Sequence, residues 1–171
     1  MIPMMKPRLV GLLLTVMAFA QSALAADADT ADLETAIFAG GCFWCVESDF
    51  DKLDGVLETV SGYTGGHVPN ASYKQVTAGG TGHREAVKIT FNPARISYDD
   101  LLRHFWRTVD PTDAGGQLCD RGESYSTAIY ATTSAQKQQA EASRSALIAD
   151  HPDKDIVTPI VDASPFYVAE D

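Results

Sequence analysis

Six short segments between residues 35 and 130 carry strand or helix spacing in the order βαββαβ, and that order restricts the fold more than anything else in the chain. Thr35–Ala39 (TAIFA) reads as a strand. Phe43, Val46, Phe50 and Leu53 then recur at helical spacing and predict a helix over 43–53. Residues 56–62 and 85–91 read as strands, the second ended by Asn92-Pro93. The clearest element is a helix over 97–108, where Tyr98, Leu101, Leu102, Phe105, Trp106 and Val109 keep the i, i+3, i+4 pattern behind a Ser97 cap. A strand over 126–130 closes the series. This is the split βαβ arrangement of ferredoxin-like folds, so the expected class is α+β: a two-layer sandwich with a mostly antiparallel sheet covered by helices. A polar, Ala-rich helix capped by Ser134 and running to about 149 follows, then a strand over Ile156–Val161. Pro159 lacks an N–H, which makes that strand an edge strand. The loops at 64–84 and 110–124 are long for a compact domain, and such loops carry function more often than filler.

The turn between the first strand and the first helix holds the chemistry. Gly40-Gly41-Cys42-Phe43-Trp44-Cys45-Val46-Glu47 places two glycines before a thiol at the helix start, with a second thiol one turn on. A thiol there faces unpaired N–H groups and the positive end of the helix dipole, which favours thiolate. Cys45 is close enough to form a disulfide with Cys42. Phe43 and Trp44 would ordinarily be core aromatics, but beside a nucleophile they suit an apolar wall for a small substrate group. The reading is a nucleophilic cysteine with a resolving partner.

Compartment and partners follow from the N-terminus and the charge. Lys6 and Arg8 precede the apolar run Leu9–Ala20, and Ala23-Leu24-Ala25 supplies small residues at a cleavage point. Residues 1–25 therefore read as a secretory signal peptide. The apolar run is shorter than the ~20 residues a membrane span needs, a retained anchor being the alternative. Cleavage after Ala25 predicts an exported, periplasmic mature protein. Residues 26–34 are expected to form a flexible lead-in, and 35–171 a single domain. Loss of Lys6 and Arg8 deepens the net charge from −10 to −12. An acidic domain without a basic stripe argues against nucleic acid and anionic membrane as partners. Export permits disulfides, and an odd count of three cysteines leaves at least one thiol outside any single bridge.

The octapeptide resembles the signature of the peptide methionine sulfoxide reductase A family, Gly-Cys-Phe-Trp followed by a variable residue, an aliphatic residue and Glu. Cys45 stands at the variable position. Ser61-Gly62-Tyr63-Thr64-Gly65-Gly66, Ser72-Tyr73, Thr81-Gly82-His83-Arg84-Glu85-Ala86-Val87, Val109-Asp110-Pro111-Thr112, Asp120-Arg121-Gly122-Glu123-Ser124-Tyr125 and Pro165-Phe166-Tyr167 resemble the family's later landmarks, in order. Two departures stand out. Ser126 occupies a position that is usually Arg, and the family usually continues past Ala169-Glu170-Asp171 with a segment that can carry recycling cysteines. The resemblance implies an α+β two-layer sandwich, in agreement with the element order.

Glu85 is the second candidate after Cys42. Strand alternation puts it on the apolar face with Val87, Ile89 and Phe91, where lost solvation raises a carboxyl's pKa and lets it act as an acid near neutral pH. Parity alone leaves open a frayed strand end whose carboxylate turns to water. The resemblance implies the family's proton donor. Tyr73 and Tyr125 fall in the two long loops; ordinary packing is the reading without the resemblance, which implies hydrogen bonds to the sulfoxide oxygen. Asp120 alone reads as a turn former, and by resemblance it orients the substrate backbone. His83 is left outside the site. Cys119, next to Asp120, is either a buried bystander thiol or a second thiol able to approach Cys42.

The expected activity is reduction of methionine S-sulfoxide, protein-bound or free, by a monomer that needs no metal or organic cofactor. Cys42 attacks the sulfur held by Phe43 and Trp44, while Glu85 protonates the departing oxygen and Tyr73 and Tyr125 bond it. The Cys42 sulfenic acid condenses with Cys45, and a thioredoxin-like dithiol reduces the disulfide. Two alternatives need less of the chain. A thiol-disulfide oxidoreductase acting through Cys42-Phe43-Trp44-Cys45 would not use Glu85 or the tyrosines. A periplasmic Cys-x-x-Cys metal-binding module would be similar to heavy-metal-associated domains, which are much shorter and lack the aromatic pair.

Overall fold

The computed structural model describes residues 32–170, so the signal-peptide expectation for residues 1–25 and most of the 26–34 lead-in lie outside the described residues. The sheet is built from β1 (Glu34–Ala39), β2 (Val56–Thr64), β3 (Arg84–Phe91), β6 (Ala128–Ala131), β7 (Ile160–Asp162) and β8 (Tyr167–Val168). Their order is β7-β6-β1-β3-β2-β8. The four inner strands are antiparallel and follow the ferredoxin-like order expected from βαββαβ. β7 pairs parallel with β6 at one edge, and β8 pairs antiparallel with β2 at the other. A separate hairpin joins β4 (Gly116–Gln117) to β5 (Asp120–Arg121).

The helices are α1 (Phe43–Phe50), α2 (Tyr73–Thr77), α3 (Tyr98–Thr108) and α4 (Ser134–Asp150). α3 starts at Ser97 through a capping box, with Asp100 N–H donating to Ser97 Oγ at 3.1 Å and Ser97 N–H to Asp100 Oδ2 at 3.1 Å. Its apolar stripe, Tyr98, Leu101, Leu102 and Phe105, is buried against the sheet. Phe38 of β1 lies at the centre of that core, with ring centroids 5.4 Å from Phe50, 5.0 Å from Phe105 and 6.1 Å from Tyr98. Trp106 Nε1 donates to Ser143 Oγ at 2.8 Å and ties α3 to α4. Strand alternation sends Ile37, Ala39, Ala86, Ala128 and Tyr130 to the opposite face, a thin layer against which Phe166 packs.

Four expectations need correction. The first helix ends at Phe50 rather than 53, and Leu53 enters through a turn that Gly55, at φ +101°, completes. The 64–84 loop contains α2, whose Ser72/Gln75 capping box was readable in the sequence. α4 is capped by Thr133, whose side chain accepts from Gln136 N–H, not by Ser134. The last long strand is only Ile160–Asp162. Pro159 cannot donate to a ladder, and its carbonyl instead accepts from Ile129 N–H at 3.0 Å.

Candidate active site

The thiol turn is fixed by what packs on it. Gly41 has φ +93°, and a Cβ there would stand 2.6 Å from Gln117 Cβ, so glycine serves both the backbone and the packing. Gln117 is buried, and its amide accepts Asp110 N–H at 2.7 Å and donates to Asp110 O at 2.9 Å. The β4–β5 hairpin is thereby clamped over the turn. Cys42 is the N-cap of α1 and is half-buried, with a side chain that makes no cap bond. Its carbonyl accepts from Cys45 N–H at 3.1 Å and Val46 N–H at 3.2 Å, which puts Cys45, exposed, one turn away. A hydrogen bond to Cys42 pushes the Cys45 thiol above its ordinary range, with burial and the Cys42 and Asp120 charges adding to it. Glu47, the acidic end of the motif, accepts from Ser61 Oγ and ties α1 to β2.

Glu85 is 1% exposed, so the frayed-end alternative does not hold. Phe43 N–H, the first donor of α1, reaches Glu85 Oε2 at 3.1 Å. The residue next to Cys42 therefore hydrogen-bonds the carboxyl. Burial pushes that carboxyl from 4.5 up to about 7; the Phe43 N–H pulls it down and the Asp120 charge raises it. The unfolded chain ionises Glu85 first, so the native state binds more protons between pH 4.5 and about 7, and stability falls as pH rises through that window. The penalty is about 3 kcal/mol above pH 8. Glu85→Gln is expected to flatten this slope and to be the more stable protein at pH 8, the difference closing by pH 4. Urea midpoints at the two pH values check it, and an unchanged slope means the carboxyl titrates as in water.

The aromatic residues divide by depth. Phe43 is a core residue, not a solvent-facing wall, while Trp44 beside it is 59% exposed. The Trp44 ring lies 5.1 Å from Phe43 and 6.2 Å from Tyr73, the first residue of α2. Trp44 and Tyr73 thus form an exposed aromatic surface, with the buried Phe43 ring packed beneath both. Tyr125 stands in a 3-10 turn, Glu123–Tyr125, and its hydroxyl is pushed up by burial, then by the Tyr73 hydroxyl beside it and by Glu85. The two loops expected to carry function therefore meet at the acid.

Asp120 opens β5 and acts on Cys45, Glu85 and Tyr125 from across the site. Cys119 is exposed, not buried, in the two-residue tip of the hairpin beside Leu118, which is 95% exposed at φ +51°. His83 is structural: Gly66 N–H donates to its Nδ1 at 3.1 Å, and its Nε2 lies 2.8 Å from Val68 O. With Nδ1 accepting, the ring proton sits on Nε2 and goes to Val68. Arg84 turns to the other face, donating to Ser126 Oγ at 2.8 Å and Tyr130 Oη at 3.2 Å. Sequence reasoning missed Tyr63, a buried neighbour of Glu85 across the β2–β3 ladder. Its parity on β2 was readable, but its register against Glu85 was not.

A family model described as peptide methionine sulfoxide reductase matches residues 34–171. The peptide methionine sulfoxide reductase MsrA of Streptococcus pyogenes serotype M2 is 54% identical over 140 residues, covering 81% of this chain and 83% of that protein. The protein of the same name from Leuconostoc mesenteroides is 54% identical over 140 residues, covering 81% of this chain and 82% of its own. Among solved structures, methionine sulfoxide reductase A of Corynebacterium diphtheriae superposes with a TM-score of 0.73 at 31% identity, over 81% of this chain and 71% of that one. Reduced Mxr1 from Saccharomyces cerevisiae superposes with a TM-score of 0.77 at 29% identity, over 84% and 83% of the two chains.

Proposed function

The chain belongs to the peptide methionine sulfoxide reductase family, and from that premise we propose that Cys42 reduces methionine S-sulfoxide, in proteins and as the free amino acid. The observation that carries the residue assignment is the 3.1 Å bond from Phe43 N–H to Glu85 Oε2, which holds a buried acid one residue from the nucleophile. The Cys42 thiolate attacks the sulfoxide sulfur, whose methyl group lies against Trp44 and Tyr73, with the Phe43 ring supporting them from below. Glu85 gives its proton to the sulfoxide oxygen, which Tyr73 and Tyr125 also bond, offsetting the charge that develops there. That oxygen ends on Cys42 as a sulfenic acid and methionine leaves. Asp120 faces the substrate backbone.

Cys45 then attacks Cys42, expels water and leaves a Cys42–Cys45 disulfide. Its exposure suits attack by an external dithiol, here a thioredoxin-like protein, which exchanges with the disulfide and restores both thiols. The leader pattern over residues 1–25 supports export to the periplasm, and the acidic charge supports a partner other than nucleic acid or an anionic membrane.

Cys45→Ser tests the resolving role. The variant is expected to release one equivalent of methionine in a single turnover, because the first step needs only Cys42. Turnover with a thioredoxin-type reductant falls sharply, and dimedone traps a sulfenic acid on Cys42. Cys119→Ser stays near wild type in both assays, since a thiol one turn away has the higher effective concentration. Forming the disulfide loosens the first turn of α1, because helix positions three apart do not meet disulfide geometry unaided. A Cys42–Cys119 linkage in a peptide map of enzyme oxidised by one equivalent of substrate overturns the assignment.

A further inference from the structure

Two buried side-chain oxygens without a hydrogen-bond partner belong to one strand pair: Tyr63 Oη and Glu85 Oε1. β2 and β3 place Tyr63 directly opposite Glu85, so both side chains rise from the same face of the sheet. Both residues are enclosed, and the Tyr63 ring lies 5.8 Å from that of Phe43, whose N–H holds Glu85 Oε2. A neutral carboxyl that accepts an N–H bond on one oxygen carries its proton on the other. The acid proton of Glu85 is therefore on Oε1, on the side shared with Tyr63. A buried hydroxyl without a partner is rare, and leaving it so is costly. Ionisation of Glu85 turns Oε1 from a proton carrier into a charged acceptor for this hydroxyl.

We propose that Tyr63 is a positioning residue for the acid: through one bridging water, its hydroxyl donates to Glu85 Oε1 once the carboxyl has given its proton to the sulfoxide oxygen. The inference rests on the reading of Glu85 as that acid. The proton leaves Oε1 for the sulfoxide oxygen, Glu85 becomes a carboxylate, and the Tyr63 O–H, water and Oε1 chain stabilises the new charge until solvent returns the proton. Among the described residues no other donor facing the carboxyl is free for this task. Asp120 of the hairpin opposes the charge, and the Tyr73 and Tyr125 hydroxyls bond each other and, in the mechanism proposed above, turn to the substrate oxygen. Cys42 is the nucleophile, and Phe43 N–H already holds Oε2. Arg84 points to the opposite face, His83 is held by Gly66 and Val68, and Glu170 acts on Tyr63 with the same sign as Glu85.

The test is the single-turnover rate of methionine formation between pH 5 and 9.5 for wild type, Tyr63→Phe and Glu85→Gln. Phenylalanine keeps the ring and its packing and removes only the oxygen. Wild type loses rate as pH rises and Glu85 ionises. Tyr63→Phe is expected to displace that loss upward by about one pH unit and to lower the plateau about tenfold, because the carboxylate formed is less stabilised. Titration of the Glu85 carboxyl carbon by 13C NMR in the reduced, substrate-free protein reads the same upward displacement without turnover. A pH limb and NMR titration at the wild-type position overturn the inference and leave Tyr63 as a packing ring. A Glu85→Gln enzyme that keeps both rate and limb overturns the acid assignment itself, whatever Tyr63→Phe does.

Discussion

Cys42→Ser is expected to lower reduction of a methyl sulfoxide below a few per cent of wild type without harming the fold. Serine has no nucleophile of comparable strength at neutral pH, whereas a thiol yields thiolate there. The fold is expected to survive for a local reason. Cys42 is the N-cap of α1 and its side chain makes no cap bond, while serine is among the preferred N-cap residues. The variant's melting temperature should equal or exceed that of wild type, which separates lost chemistry from lost structure. The checks are methionine release from free methionine sulfoxide and a thermal melt on the same preparation. Residual turnover above a few per cent would remove Cys42 from the centre of the mechanism.

Glu85→Gln is expected to slow sulfoxide reduction by about 10²- to 10⁴-fold at pH 7–8, the usual range for a lost general acid. Glutamine keeps an oxygen for the Phe43 N–H, so the start of α1 stays held and the proton is the main loss. The sign of the pH dependence is fixed by the direction of the shift. With the carboxyl raised to about 7, wild type holds its proton below that pH and loses rate above it. The variant lacks that limb, and its defect shrinks at low pH, where solvent supplies the proton. A near-wild-type rate at pH 7–8 would assign the acid to another group.

The inner sheet was legible because its strands and helices change hydrophobic period sharply, and one face of each element is buried. Glu85 was legible for the same reason: on β3 it shares parity with Val87, Ile89 and Phe91, which all lie in the core. What escaped depends on contacts between segments distant in sequence. The β4–β5 hairpin has two-residue strands and a Leu118-Cys119 tip with none of the glycine or asparagine that marks such turns. β8 is equally short and exists through its pairing with β2. Tyr63 meets Glu85 only through a ladder register closed by the long 64–84 loop. Phe43 and Trp44 were expected to act together as an apolar wall, and their difference in depth, Phe43 buried and Trp44 exposed, depends on how α1 packs on the sheet. α2 is different, since its Ser72/Gln75 capping box is a local signal that stands in the sequence itself.

The placement of the two outer strands has a consequence for the order of assembly. β7 and β8 follow all the other described strands in sequence yet occupy opposite edges of the sheet. β8 pairs Gly62 with Val168 and Tyr63 with Tyr167, and Thr64 Oγ1 lies 3.0 Å from Ser164 Oγ, contacts spanning about a hundred residues. Such closures are slow, because a long loop must be confined before its contacts form. They cannot begin until synthesis has passed residue 168. Cys42 and Cys45, by contrast, come early in the domain and need only one helical turn to be neighbours. The turn that brings Cys42 and Cys45 together can therefore form before the two outer edges of the sheet are closed.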